Sequence, residues 1–311
     1  FQLALLYEDT GDHRSAAQLF RNLIDVAPAE VRGDPRFAPA LAHAEAAVAR
    51  DNAALAGLVD GAVRPSSPRL GEAIDALLGR GRIHVAEPTF LTIPQLPAIP
   101  FLPREMTAWL DRLEAATDSI EGELRAVIAA GEDGDFVPYV ANPPGTPANQ
   151  WQELDHSPDW GAFFLWKHGA RHEAHCARCP ATAQLLETMP MPRLDGRAPN
   201  AFFSLLKPRT RIPAHTGVTN ARLTCHLPLI VPGGCGFRVG AQTREWRRGE
   251  AWVFDDTIEH EAWNNSDQPR IILIFDIWHP MLDSAEREAV AALLATYDRH
   301  LGRRTGLSDT L

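Results

Sequence analysis

In the first 130 residues, apolar side chains recur at the three- and four-residue spacing of helices that bury one face. Ala4, Leu5 and Tyr7 precede Gly11-Asp12. Ala16, Ala17, Phe20 and Leu23 follow it, before Pro28, which is the order of a helix, a tight turn and a second helix. Ala- and Leu-rich helical periodicity continues over residues 35–61 and 68–80. Met106, Trp109, Leu110, Leu113, Ile120, Leu124, Val127 and Ile128 predict helix over 103–130. Prolines punctuate residues 88–103 and separate these elements.

After about residue 135 the pattern shortens. Ala201–Lys207, Arg222–Val231, Gly236–Gly240, Ala251–Phe254 and Arg270–Trp278 are brief runs of strand composition, divided by turns such as Pro232-Gly233-Gly234 and Asn264-Asn265-Ser266-Asp267. Ile271 to Phe275 is apolar throughout, as expected of a strand buried on both faces. Many short strands at this spacing predict a sandwich or jelly roll. Seven of the eight tryptophans lie at or beyond residue 151, which puts the heavier core there. The expected class is α+β: a helical region over 1–131, a jelly-roll domain over 132–290, and a C-terminal helix and tail over 291–311.

The chain has 311 residues and is 45% hydrophobic, enough for two domains and a sizeable core. No window of 18 consecutive apolar residues occurs, so no membrane-spanning segment is expected. A net charge of −10 argues against a nucleic-acid surface and suits a cytoplasmic protein. Phe1 is not an initiator methionine, so the chain is expected to be a fragment, with an upstream targeting segment left open. Cys176-Ala-Arg-Cys179 has metal-knuckle spacing, with His172 and His175 close by. The competing reading is two reduced thiols in a loop.

Two histidines carry the candidate chemistry. His215 lies in Ile212-Pro213-Ala214-His215-Thr216-Gly217 and His260 in Phe254-Asp255-Asp256-Thr257-Ile258-Glu259-His260. Imidazoles from separate strands of a sheet-rich domain are how non-haem iron oxygenases hold their metal. Such a site usually adds a carboxylate two residues after the first histidine. Here that position is Gly217. Asp255, Asp256, Glu259 and Glu261 surround His260, but neighbours on a strand face opposite ways and seldom share a ligand geometry. The reading preferred is iron with two protein ligands.

Residues 151 to about 283 resemble the catalytic domain of the aspartyl/asparaginyl β-hydroxylase family. The matching text is Trp160 with Trp166, Ser204, His215-Thr216-Gly217 with Thr219-Asn220, Arg222-Leu223 and His226-Leu227. It continues through Phe254-Asp255-Asp256, Glu259-His260-Glu261, Trp263, Arg270 and Asp276-Ile277-Trp278-His279-Pro280. The resemblance implies an iron(II)- and 2-oxoglutarate-dependent dioxygenase on a double-stranded β-helix, cupin-like core, with O2 as co-substrate. In that family glycine likewise replaces the carboxylate. Carried over by motif, His215 and His260 would be catalytic metal ligands, and Ser204 with Arg270 would hold the distal carboxylate of 2-oxoglutarate. The guanidinium fork suits that task because it matches a carboxylate in bidentate geometry. Trp160, Thr224 and His226 would line the co-substrate pocket, and Arg222 would meet substrate. Residues 4–28 resemble one tetratricopeptide repeat cut at its start. Some family members carry helical repeats before the oxygenase domain. The helical half either packs passively or presents a peptide or protein substrate.

One departure bears on substrate. The family's well-known animal members have a second arginine two residues beyond Arg222, where this chain has Thr224. Arginines in this segment help bind carboxylates near the metal. Cys176 matches a family cysteine, but its partner position falls near Ala183 and Cys179 is out of register, so a secreted-type disulfide is not implied. The primary expectation is hydroxylation of an Asp or Asn side chain in a peptide or protein. Hydroxylation of a small molecule or lipid, halogenation with chloride in the room beside Gly217, and an inactive helical-repeat binding module remain open.

Overall fold

The computed structural model describes residues 1–132, 134–147 and 150–302. The tail expected at the end of the chain, residues 303–311, lies outside the described residues. The chain divides into two compact units, Phe1–Ile83 and His84–Leu311.

The first unit is helical: α1 (Gln2–Asp9), α2 (His13–Val26), α3 (Ala29–Arg32), α4 (Ala38–Ala62) and α5 (Pro68–Leu77). The Gly-Asp turn forms where expected. Gly11 takes φ 79°, a left-handed conformation open to glycine, and the Asp12 carboxylate accepts the Ser15 N–H at 3.1 Å to cap α2. Ala4, Ala16, Phe20, Ala44 and Ala47 make the buried core of α1, α2 and α4. Four of these five are alanine, so the helices approach closely around the one large ring. Ser67 caps α5 through the Leu70 N–H at 3.4 Å.

In the second unit, α6 (Leu110–Ala115) and α7 (Thr117–Ala130) follow a 3-10 turn at Arg104–Met106. Then come β1 (Val137–Pro138), β2 (Trp160–Lys167), β3 (Ala170–Arg171), α8 (Glu173–Arg178), α9 (Pro180–Glu187) and β4 (Ala201–Leu206). The rest is β5 (Thr210–His215), β6 (Arg222–Ile230), β7 (Cys235–Val239), β8 (Gln242–Glu245), β9 (Trp252–Phe254), β10 (His260–Asn264), β11 (Arg270–Trp278) and α10 (Ser284–Leu301). Among the described residues, one sheet runs β1-β2-β4-β11-β6-β9, with β3 added to β2, and the other runs β5-β10-β7-β8. All their strand pairs are antiparallel. Phe101, Trp160, Leu206, Ile212, Phe237, Val239, Phe254 and Ile272 draw both sheets into one core. This is the jelly roll the strand pattern predicts. β11 sits between β4 and β6, which explains why Ile271–Phe275 has no polar face.

The division expected near residue 131 moves to Ile83/His84. Leu110, Leu113, Ile120, Leu124 and Val127 do not close on the N-terminal helices. They pack with Phe163, Phe203, Leu227 and Phe275 on the outer face of the larger sheet. Helical periodicity reports an apolar stripe but not the surface that covers it.

The proline-punctuated stretch is also more than a spacer. Residues 86–102 form an extended strap bridged at Ala86 to Ile258, Leu91 to Thr219 and Phe101 to Phe254. Main-chain N–H groups of Glu87 and Thr89 donate to the carbonyls of Thr257 and Gly217, at 2.7 and 3.1 Å. The strap thereby ties together the two loops beside His215 and His260.

Candidate active site

β5 ends at His215 and β10 begins at His260, and the two are direct cross-strand partners with ring centroids 4.0 Å apart. Each ring is oriented by its own backbone. His215 Nδ1 lies 2.7 Å from the Pro213 carbonyl and His260 Nδ1 lies 3.0 Å from the Ile258 carbonyl. A carbonyl only accepts, so each Nδ1 carries the proton and each Nε2 keeps its lone pair. Burial lowers the pKa of His215 to about 4, against a weaker upward pull from Pro213. Burial first, then the neighbouring His215, also lowers that of His260. Two neutral imidazoles with fixed tautomers, their Nε2 atoms in no hydrogen bond among the described residues, line a cavity between the sheets. This is the state a metal requires of histidine.

At one end of the cavity stand Trp160, Ser204 and Arg270. Trp160 Nε1 donates to Ser204 Oγ at 3.1 Å, and Arg270 reaches the same oxygen at 3.5 Å. Arg270 is 1% exposed, and its Nε has no hydrogen-bond partner among the described residues. The Trp246 ring lies under the guanidinium, 4.8 Å to its centroid. Burial pulls the guanidinium pKa down to about 10, and no carboxylate offsets it. A cation left unpaired in the interior is costly, so this arrangement prepares for an anion. His226 adds a second unused polar atom, a buried Nδ1 without a partner among the described residues. Burial, then Arg270, hold its ring neutral.

At the other end, Arg222 meets Asp276 at 2.6 Å and Asp256 at 3.8 Å. Burial opposes the charge of Arg222, but the two carboxylates outweigh it and raise its pKa. Thr224 lies between Arg222 and His226 along β6, opposite Asp276 across the sheet, and lines the cavity. Tyr139 also lines the cavity, stacked on Trp160 at 4.1 Å. Burial, with Asp276 next, raises its hydroxyl to about 12.

Alternation along β4, β6 and β11 puts the residues expected from the motifs on one wall: Ser204, then Arg222, Thr224 and His226, then Arg270. The acids around His260 separate. Asp255 caps Thr257, and Glu261 faces away to pair with Arg211 and Arg238. Asp256 alone lines the cavity, against Gly217, where a Cβ would collide with its carboxylate. Its pKa is raised to about 7, by burial first and against the pull of Arg222. Among the described residues, no group of three or more His, Cys, Asp or Glu is arranged to hold a metal. Asp276 and Tyr139 were not singled out from the sequence. Asp276 sat inside a quoted motif, and nothing in the local sequence marks Tyr139.

The Cys-x-x-Cys pair is a core feature. Cys176 and Cys179 are buried with Leu186, Phe163 and Phe203, and burial pushes their thiols up to about 11 and 12. A metal knuckle needs thiolates, and this surrounding disfavours them. His175 instead stacks on Phe163 at 4.0 Å.

The profile of the aspartyl/asparaginyl β-hydroxylases matches residues 114–280, more than half the chain. The chain belongs to that family. Human aspartyl/asparaginyl β-hydroxylase is 38% identical over 143 residues, 46% of this chain and 19% of that protein. Aspartate β-hydroxylase domain-containing protein 2 of Xenopus tropicalis is 30% identical over 70% of this chain and 61% of its own length. Human aspartate β-hydroxylase domain-containing protein 1 is 31% identical over 70% of this chain and 54% of its own length. The chain thus spans between a fifth and three fifths of these relatives. No helix among the described residues is long and apolar enough to cross a membrane.

The neutral histidines predict a pH response of the metal-free protein. The folded-state pKa values of His215, His226 and His260 lie below the ordinary value of 6.5. The unfolded chain therefore binds more protons as pH falls, and stability drops. The loss begins below about 6.5 and approaches ~1.4 kcal/mol per pH unit for each histidine until its folded-state pKa is reached. Urea midpoints between pH 7.5 and 5 should fall, with part of the loss offset by Asp256, which takes up its proton in the folded chain first because its pKa is raised to about 7. In a His226→Phe variant the slope should be shallower, and an unchanged slope would remove His226 from this account.

Proposed function

We propose that this chain is an iron(II)- and 2-oxoglutarate-dependent dioxygenase that hydroxylates an Asp- or Asn-type side chain of a peptide or protein. The observation that carries the reading is the buried, unpaired Arg270 beside Ser204, in one cavity with two imidazoles whose Nε2 atoms are free. His215 and His260 fit a metal by tautomer and charge. Arg270 and Ser204 fit the distal carboxylate of 2-oxoglutarate, and Trp160, Thr224 and His226 would line its remaining surface. When bound, iron and 2-oxoglutarate with O2 would supply the oxidising power for inserting oxygen into a C–H bond.

The chain's own contribution is orientation and exclusion of water. The Pro213 and Ile258 carbonyls hold both imidazoles in one tautomer. Trp160 donates to Ser204 Oγ, which leaves the Ser204 hydroxyl proton available to a carboxylate. Arg270 supplies charge in a low-dielectric setting, where it acts more strongly than in water. Tyr139, Trp160, Trp151, Phe202 and Phe254 wall the cavity with rings. The tied strap keeps the two histidine loops from drifting apart.

Halogenation fits less well, because the space beside Gly217 that chloride would need is filled by the Asp256 carboxylate. An inactive module fits less well, because it has no use for an unpaired buried arginine. We also propose a cytoplasmic location, supported by four buried free thiols. The deciding experiment is anaerobic titration of the metal-free chain with iron(II), then with 2-oxoglutarate. Micromolar iron binding and 2-oxoglutarate binding that depends on it are expected. Absence of both would leave the binding-module reading in front.

Presentation of a peptide or protein by the N-terminal helices is part of the same proposal. A chain lacking residues 1–83 should retain slow, substrate-free conversion of 2-oxoglutarate to succinate. It should lose hydroxylation of a long substrate, because remote binding energy holds the reacting group in place. Circular dichroism must first establish that the truncated chain is folded. Full-rate hydroxylation by a folded truncation would favour a small-molecule or lipid substrate.

A further inference from the structure

We infer that Asn220 is a positioning residue for His215 and His260, acting through the proline-rich strap that α10 holds in place. The inference rests on the metal reading of the two histidines and adds to it residues outside the cavity.

Two side chains constrain a metal less than three, so the span between the imidazoles has to be set by the backbone around them. β5 and β10 are paired at His215 and His260, but the register shifts directly after His260 and the chain leaves the sheet directly after His215. Beyond that pair, the Gly217 N–H donates to the Asp256 carbonyl at 2.7 Å and links the two histidine loops. Further ties run through the strap. The Glu87 N–H donates to Thr257 on one loop, at 2.7 Å. On the other, Thr89 donates to Gly217 at 3.1 Å, and Phe90 and Leu91 donate to Val218 at 3.0 and 3.1 Å. One short segment thus holds both loops by its main chain.

Asn220 fixes where on the strap these bonds fall. Its Oδ1 accepts the Ile93 N–H at 2.7 Å, and its Nδ2 donates to the Ile93 carbonyl at 2.9 Å. Asn220 is buried, so neither bond is readily replaced by water. Pro88 and Pro94 restrict the backbone on either side of this stretch. α10 holds the same stretch by packing. Leu91, Ile93 and Leu96 lie against Leu282, Val290 and Leu294. Phe90 meets the Tyr297 ring at 5.1 Å, and Arg197, bonded to Asp298 at 2.8 Å, lies over Phe90. Neither Asn220 nor any residue of the strap or of α10 is part of the cavity wall. Their influence on the site therefore passes through the positions of His215 and His260.

The test measures metal binding by the full chain, without turnover. Asn220→Ala removes both bonds to Ile93. Its anaerobic iron(II) affinity is expected to fall about 10- to 100-fold, the usual cost of losing the groups that orient metal ligands. The visible absorption spectrum with cobalt(II), which reports ligand geometry, should change, and hydrogen exchange at the Ile93 amide should accelerate. Val127→Ala, in the apolar cluster on the outer face of the larger sheet, is the control for stability alone. It should lower the melting temperature and leave iron affinity and the cobalt spectrum unchanged. If Asn220→Ala does not fold, Thr89→Pro removes the donor to Gly217 and should act in the same direction. Unchanged iron affinity and cobalt spectrum in a folded strap variant overturn the inference. So does an equal loss of iron affinity in Val127→Ala. Iron(II) binding by the unaltered chain is measured first, and its absence would overturn the metal reading itself rather than the role of Asn220 within it.

Discussion

His215→Ala and His260→Ala are each expected to lower iron(II) affinity by more than about 100-fold and to abolish turnover. On the proposed reading only two side chains hold the metal, and no group of three or more His, Cys, Asp or Glu among the described residues could retain it after either change. The Asp256 carboxylate also lines the cavity, packed against Gly217 and 3.8 Å from Arg222. Both substitutions should leave the fold intact, since each ring lines the cavity. The metal-free protein should even become less sensitive to acid, because one buried neutral histidine has been removed. Iron titration, circular dichroism and 2-oxoglutarate turnover measured on the same sample test the assignment together. Full activity in either folded variant would sink it.

Arg270→Met is expected to have opposite effects on stability and on co-substrate binding. The apparent requirement for 2-oxoglutarate should rise steeply. Loss of a buried charge-assisted contact is worth roughly 2–5 kcal/mol, or about 30-fold to several thousand-fold in concentration. The co-substrate-free protein should become more stable. Arg270 sits in the interior with burial depressing its pKa and no acid beside it, and a buried unpaired cation is destabilising. Methionine fills a similar volume without that penalty. A purely structural arginine would give the reverse, with lower stability and an unchanged 2-oxoglutarate response. Thermal melts with and without 2-oxoglutarate distinguish the two directly. An unchanged requirement would move the carboxylate clamp away from Arg270, with Arg222 the next candidate.

The helix-turn-helix at Gly11-Asp12, the strands over 201–206, 222–230 and 270–278, and the jelly-roll class were legible in the chain. Each is encoded by neighbours: a capping aspartate, a turn glycine, an apolar run of strand length. The candidate histidines and Arg270 were legible because motif and spacing tie them to a known family. Strands β2, β5, β8 and β10 were not assigned: β5 and β8 are sheet edges, and β2 and β10 carry register shifts, so their alternation is weak. Pro213 within β5 further disguises it.

What the sequence determined by itself is therefore local. It holds the periods of its helices and strands, and the residue types able to bind metal and carboxylate. Tertiary structure decided everything that depends on which surfaces meet. It assigned the 110–130 helices to the outer face of the larger sheet rather than to the N-terminal helices, although their stripe alone suits either partner. It made the proline-rich 86–102 segment a strap across the two histidine loops. It left Arg270 without an acid while giving Arg222 two. The last difference has a plain physical origin. Whether a buried arginine is spent or available depends on carboxylates more than 30 residues away, and these are brought beside it only when β6, β9 and β11 pair.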